Sequence, residues 1–363
     1  MRRIALVTDM LVGLGGAEKV FAIMCEAFPE ADVYTSVCVP KDTFPYFSTR
    51  EVRQLVTVPF INSDARLKAL YPLAAWSMLR NPLRGYDVVI SSAAHLARYV
   101  NVVGGKHFSY SYYPFRLLHE PQRYPQTGLK ALAQRIAVPP LRAWDVRQAQ
   151  KVDRFIAISE ASRDAIKRYY HRDADIIHAP ILNLPSAPPP TRMESDFVVV
   201  SRLEKWKRID VVVEAFASLP HRRLVVVGDG SLRRELEAMA TSNVTFAGSV
   251  TEEQLVAYYR NARALIHPTA TEFGLTPIEA NAHGTPAICY GRDGVFETMV
   301  SYDIDPARAS AVFFDEQTPA SVAEAVERFC GLSFSSANCF ANAQRFSPET
   351  FQAALRAYVE RHG

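Results

Sequence analysis

Three short stretches hold the residues whose types and spacing suit chemistry. "SRLEKWKRID" (201–210) gathers Arg202, Lys205, Lys207 and Arg208 directly after an apolar run. "TATEFGLTPIEANAHGTPAICYGRDG" (269–294) packs Glu272 and Glu279, two prolines and four glycines between two apolar runs. "DMLVGLGGAE" (9–18) sets Gly13, Gly15 and Gly16 ahead of a helical pattern. A guanidinium and an ammonium at one strand end, such as Arg202 and Lys207, supply a planar fork and a point charge for a diphosphate; a solvated basic turn is the plainer alternative. Glycines at a strand-to-helix turn let the backbone approach an anion and leave the helix N-terminus open to it, although one of them is needed for the turn itself.

In "TPIE", Thr276 suits an N-cap, Pro277 the first helical position and Glu279 the third, which predicts a capping box. Glu279 therefore has a structural explanation. It has a functional one as well, because "EFG" ahead of it would present free N–H groups at a helix N-terminus beside a carboxylate. His95, in "SSAAHLARYV" after an apolar run, suits either a crevice-facing or a packed structural role. The D-x-D triplets Asp173/Asp175 and Asp303/Asp305 lie in loop-like contexts and read as surface turns rather than a metal site.

The elements that must position these residues follow from the apolar pattern. "RIALVTD", "DVVISSA", "HFSYSYYP" and "RFIAISE" in the first half, and "DFVVVSRL", "RRLVVVGDG", "NVTFAGSV", "ARALIHPT" and "TPAICYG" in the second, are short β-type runs alternating with amphipathic stretches. Continuous apolar strands between helices predict parallel sheets covered on both faces, so the fold class is α/β. In such sheets ligands sit beyond the carboxyl ends of the strands, which directs attention to the loops after Asp9, Arg202, Gly228 and His267. The proline-rich "LNLPSAPPPT" (182–191) has no apolar period and marks a boundary between residues 1–183 and 184–363.

At 363 residues and 48% apolar content the chain can bury two ordinary cores. Residues 1–180 carry 24 Lys and Arg against 16 Asp and Glu, a balance of +8; the remainder carries 17 against 22, or −5. The basic half lacks any nucleic-acid motif. Residues 64–80 and 128–147 instead interleave Leu, Trp, Ala and Ile with Arg and Lys, a pattern suited to anionic lipid as well as to ordinary surface helices. The five cysteines are scattered and odd in number, as expected for reduced thiols. "MRRIALVTDM" is too short and too early broken by Asp9 for a signal peptide, and no run approaches the roughly 18 apolar residues of a membrane span.

Taken in order, "GLGGAEKV", "FIAISE", "VVVSRLEKWKRIDVVVEAF", "LVVVGDGSLRREL", "NVTFAGSVTEEQLVAYYRNARALIHP", "FGLTPIEANAHGTPAICYGRDGVFETM" and "AVFFDEQTPASVAEAVERF" resemble glycosyltransferase family 4. The resemblance implies the GT-B fold: two Rossmann-like, doubly wound domains facing a cleft, with a last helix near 347–361 crossing back to the first domain. It also implies metal-independent, retaining transfer of a hexose from a nucleotide sugar to an acceptor held by the N-terminal domain. Arg202 and Lys207 match the pair that neutralises the leaving diphosphate. Glu279 matches the ribose ligand, and Phe273, Gly274 and Leu275 match the loop whose amides hold donor sugar and phosphate. The Gly15–Gly16 turn matches the loop beneath the donor phosphate and the acceptor.

On this reading the catalytic set is Arg202, Lys207 and His95. The donor-binding set is Gly15, Gly16, Glu272, Phe273, Gly274, Leu275, Thr276 and Glu279. The chain departs from the family's E-x(7)-E motif, since the first position is Thr271, with Glu272 one place late. A threonine cannot act as a carboxylate nucleophile, so front-face attack is the route left open. The histidine of a second family stretch corresponds to Tyr112, in "SYYP".

The subgroup resembled contains bacterial mannosyltransferases of lipid-linked polysaccharide assembly. The implied donor is thus GDP-mannose and the implied acceptor a polyprenyl-linked glycan at the cytoplasmic face of the cell membrane, with peripheral contact to anionic lipid, no cofactor and no nucleic acid. A UDP- or dTDP-sugar donor, a GT-B-like epimerase and a non-catalytic nucleotide-sugar-binding subunit are the alternatives.

Overall fold

The computed structural model describes residues 2–13, 15–55, 71–123, 127–182, 184–189 and 196–363. The chain divides into two compact units, residues 1–182 with 348–363, and residues 183–347.

The first unit is built on strands β1 (Ile4–Thr8), β2 (Asp32–Thr35), β3 (Val52–Gln54), β5 (Val88–Ala93), β7 (Lys106–Ser111), β8 (Arg154–Ala157) and β9 (Ala174–Ile176), with a small pair formed by β4 (Leu83–Arg84) and β6 (Val102–Val103). The sheet order is β3-β2-β1-β5-β7-β8-β9, and its pairings are parallel. The chain runs outward from β1 to β3 and returns to β5 on the other side, so the order reverses between β1 and β5. Strands β2, β3 and β9 were not expected. "VRQ" and "ADI" are the two edge strands, with side chains only partly buried, and "DVYT", between β3 and β1, buries only the alternate residues Val33 and Thr35, so none of the three carries an apolar run.

Helix Gly16–Ala27 buries every residue from Val20 to Cys25, and so is enclosed on all sides over that span. It packs against the last helix, Pro348–His362, whose Val359 carbonyl accepts Arg2 Nη1 at 2.7 Å. Residues 64–70 of the first basic stretch lie outside the described residues, and its remainder forms helix Tyr71–Arg80. Residues 128–147 fall in helix Gly128–Ala149, which accommodates Pro139 and Pro140.

The second unit contains β10 (Asp196–Val200), β11 (Leu224–Val227), β12 (Val244–Gly248), β13 (Ala262–His267), β14 (Ala287–Tyr290) and β15 (Ala311–Phe314), in the order β12-β11-β10-β13-β14-β15 and again parallel. Here the order reverses between β10 and β13. Phe197 and Val199 of β10 pack with Val212 and Phe216 of helix Ile209–Ala217 and with Val322, Val326 and Phe329 of helix Pro319–Cys330. Both α/β units thus carry a topological switch point, where the loops after two adjacent strands diverge and leave room for a ligand.

Among the described residues all five cysteines are free, and burial pushes the Cys25 thiol up to about 12. No described helix is long and apolar enough to cross a membrane.

Candidate functional site

In the second unit the switch point collects most of the candidate residues. The loop leaving β10 carries Arg202 and a single turn, Lys205–Lys207, that ends on Arg208 with φ 55°. Arg202 Cζ lies 5.8 Å and Lys207 Nζ 4.2 Å from the ring centroid of Trp206, so both cations share one indole. Trp206 is 51% exposed, and nothing in its residue type or spacing marks it as part of the site. Arg208 points elsewhere, to the Asp210 carboxylate at 3.3 Å and the Gln317 carbonyl at 3.3 Å. Gly228, at the end of β11, has φ 121°, and a Cβ there would lie 1.9 Å from the Ser201 carbonyl oxygen, so no other residue fits beside this loop.

The loop leaving β13 approaches the same point. Thr269 Oγ1 donates to the Lys207 carbonyl at 2.9 Å, tying the two switch-point loops together. His267 closes β13 with its ring buried and its Nε2 without a hydrogen-bond partner among the described residues; burial and the Lys207 charge lower its pKa to about 3, so it is neutral.

Beyond it the structure corrects the predicted capping box. The helix is Leu275–Ala282, its N-cap is Gly274 at φ 83°, and no side chain caps it. Thr276 is the second helical residue and Glu279 the fifth. The cause lies upstream, where Thr271 Oγ1 accepts the N–H groups of Phe273 at 3.2 Å and Gly274 at 3.0 Å and turns the chain earlier, through a left-handed residue that favours glycine. These two amides, expected to hold the donor, are therefore engaged by the protein itself. Leu275 and Thr276 begin the helix, where N–H groups have no intrahelical acceptor. Glu272 is partly exposed beside them. Glu279 accepts the Tyr259 hydroxyl at 3.2 Å.

In the first unit the corresponding loops follow β1 and β5. Gly15 is the N-cap of helix Gly16–Ala27 in extended conformation (φ −79°, ψ 170°), with no side-chain cap. Its backbone angles suit any residue, but a Cβ there would stand 2.5 Å from Glu18 Oε2, so what glycine contributes is room for that carboxylate at the helix end. Tyr112 OH donates to the Ala17 carbonyl at 3.1 Å and contacts Ser92 Oγ at 2.9 Å, which pins the same end.

His95 lies beyond β5 on a tightly held loop. Asp9 Oδ2 accepts the N–H groups of Ala94 and His95 at 2.7 and 2.8 Å, and its Oδ1 accepts that of Ala97 at 2.6 Å. Arg98 donates to the carbonyls of His95 at 3.1 Å and Ala94 at 2.9 Å, and to Tyr170 OH. Tyr170 in turn donates to Asp145, which also binds Tyr99 OH at 2.6 Å and His119 Nε2 at 2.8 Å. Burial pushes the Asp145 carboxyl up, but these donors and the Arg98 charge outweigh it and hold the group below its ordinary range. The His95 ring meets Phe115 edge-on, with centroids 4.8 Å apart.

Residues 14–181 match the family model Glycosyltransferase Family 4, and residues 186–346 match Glycosyl transferases group 1. The chain belongs to glycosyltransferase family 4. The D-inositol 3-phosphate glycosyltransferase of Mycolicibacterium paratuberculosis is 30% identical over 221 residues, 51% of this chain and 50% of that one. The enzyme of the same name from Mycobacterium leprae is 33% identical over 120 residues, 28% of each chain. The chain spans about half the length of the curated relatives it matches.

Among solved structures, HepE of Anabaena in complex with UDP and glucose superposes with a TM-score of 0.68 at 17% identity, covering 99% of this chain and 100% of that one. Sucrose-phosphate synthase from Thermosynechococcus elongatus gives 0.73 at 18%, covering 99% of each. At these identities the likeness is one of fold, and the fold is GT-B.

The D-x-D carboxylates of this family 4 chain are engaged by neighbours. Asp175 accepts Tyr358 OH at 2.6 Å, Asp303 pairs with Arg328, and Asp305 pairs with Arg308 at 2.7 Å. Among the described residues no group of three or more His, Cys, Asp and Glu is arranged to hold a metal ion.

Proposed function

We propose that the chain is a retaining hexosyltransferase that takes its sugar from a nucleoside-diphosphate donor without a metal ion. The observation that carries this is the convergence of Arg202, Lys207 and the entry of helix Leu275–Ala282 on one switch point. The diphosphate lies against Arg202 and Lys207, the ribose hydroxyls meet Glu279, and the first amides of the helix meet the sugar. As the anomeric C–O bond breaks, negative charge grows on the β-phosphate, where the two cations stabilise it. The acceptor oxygen bonds to the anomeric carbon from the same face, and its proton passes to the departing phosphate oxygen. No carboxylate is needed at position 271. His95 and the Gly15–Gly16 turn serve the acceptor in the first unit.

The donor proposed is GDP-mannose and the acceptor a polyprenyl-linked glycan, on the strength of the motif resemblance. Helix Gly128–Ala149 leaves Leu132 and Ile136 exposed beside Arg135, and helix Tyr71–Arg80 leaves Trp76 exposed beneath Arg80 at 4.6 Å. Apolar side chains interleaved with cations suit peripheral binding to the anionic cytoplasmic face of a membrane. A second reading takes a UDP-hexose and a soluble phosphorylated polyol. It is favoured by the UDP and UDP-glucose bound to HepE and by the names of the curated relatives.

The test is a matrix of GDP-, UDP- and dTDP-hexoses against lipid-linked glycan and inositol phosphate, with products identified by mass spectrometry. A mannosylated lipid from GDP-mannose is the expected result. Transfer from a UDP-hexose selects the second reading, an isomerised free sugar points to an epimerase, and no product from any pair overturns the transferase assignment.

A further inference from the structure

The loop between β13 and helix Leu275–Ala282 is fastened from two directions. From outside, the Thr271 carbonyl accepts Gly294 N–H at 2.9 Å, and Thr298 Oγ1 donates to the Phe273 carbonyl at 3.0 Å. Gly294 fits so closely that a Cβ would stand 2.2 Å from the Glu272 carbonyl oxygen. From inside, the Thr271 hydroxyl receives two N–H groups, those of Phe273 and Gly274. Phe273, 3% exposed, anchors the turn edge-on against Phe346 at 5.4 Å.

We propose that Thr271 is the positioning residue of the donor-sugar site. Its hydroxyl, a neutral acceptor, draws the Phe273 and Gly274 amides inward and so fixes where the helix begins, which leaves the amides of Leu275 and Thr276 to meet the sugar. This rests on the donor-site reading above and assigns the residue that shapes it. A hydroxyl does this without adding a negative charge near the bound diphosphate, whereas a carboxylate at the same place would add one.

Two variants test the assignment. Thr271→Val keeps the shape and removes the acceptor; Thr271→Ser keeps the acceptor. Amide hydrogen exchange of the full chain, followed over the segment 268–276, needs no ligand. Valine is expected to speed exchange of the Phe273 and Gly274 amides at least about tenfold, as a lost local hydrogen bond should, while serine retains protection and the first unit is unchanged.

In the transfer assay, valine is expected to raise KM for the nucleotide sugar roughly tenfold with a smaller effect on kcat, and serine to stay within about twofold of wild type. Binding of GMP or UMP, which reach only the Glu279 end, stays unchanged in both. Unchanged exchange in the valine variant, or a serine variant as impaired as valine, overturns the proposal. So does altered exchange with an unaltered KM. A wild-type chain that binds no nucleotide and transfers no sugar overturns the donor-site reading instead, and the exchange comparison still decides whether Thr271 holds the loop.

Discussion

At the switch point of the first sheet, charge is turned inward. The Asp9 carboxylate takes three amides of the 94–97 loop, and Arg98, 1% exposed, closes the same loop through Tyr170 onto the fully buried Asp145. At the switch point of the second sheet, charge is turned outward. Arg202 is exposed, Lys207 is half-buried, and both rest on the face of an exposed indole while hydroxyls and backbone groups hold the loops. Buried polar groups in the first unit hold backbone in one place and are coupled to folding. The two cations of the second stand at the surface against the indole, where the diphosphate of the proposed donor would meet them. One topology thus ties charge into the fold in one unit and presents it at the surface in the other.

The largest expected effect breaks the first half of this comparison. Asp145→Ala removes the buried carboxylate that binds Tyr170, Tyr99 and His119 and whose charge faces Arg98, and should destabilise the first unit by about 3–5 kcal/mol, read by denaturant unfolding; a loss under about 1 kcal/mol would deny the network its structural role. Next comes Lys207→Ala. Removing a donor aimed at developing charge should lower transfer about a hundredfold, close to 3 kcal/mol, while stability stays within roughly 0.5 kcal/mol, as for a surface change. A variant that unfolds instead would show that the cation is structural.

Acid distinguishes the units less sharply, because each hides a neutral histidine. Burial lowers His267 to about 3 and His107 to about 4, below the ordinary 6.5 of the unfolded side chain. The unfolded chain therefore binds protons that the folded chain refuses, and stability is complete above about pH 6.5 and falls as the pH drops toward these values. Between pH 6.5 and 5 each group should account for about 2 kcal/mol of loss. His267→Gln should flatten the slope in the second unit alone, as unfolding at pH 7.5, 6.5 and 5 would reveal. The smallest effect sharpens the second half of the comparison: Trp206→Leu removes a cation–π face worth about 0.5–1 kcal/mol and should weaken donor affinity a few-fold, whereas Trp206→Phe keeps most of it.

Much of this was legible in the sequence. Continuous runs such as "FVVV" and "LVVV" read as buried parallel strands, so the apolar pattern by itself locates the strand ends bearing Asp9, Arg202, Gly228 and His267. The edge strands were not, because a half-exposed three-residue strand has no pattern of its own. Nor was the Arg98–Tyr170–Asp145 network, whose members stand 72 and 25 residues apart and meet only through the sheet. The helix start after Gly274 was misplaced because "TPIE" has the composition of a capping box, while the hydroxyl that decides the turn belongs to Thr271, three residues before the cap. Trp206 left no signal beyond its place between Arg202 and Lys207.

The most direct test of the account is calorimetric titration of the purified chain with GDP and UDP, wild type beside Lys207→Ala and His95→Ala. Wild type is expected to bind at least one of the two, Lys207→Ala to weaken that binding tenfold or more, as loss of a charge-assisted contact worth about 1.5–3 kcal/mol requires, and His95→Ala to leave it unchanged. Binding that survives in Lys207→Ala but fails in His95→Ala, or no binding in wild type, would contradict the claim that the second switch point is a nucleoside-diphosphate site.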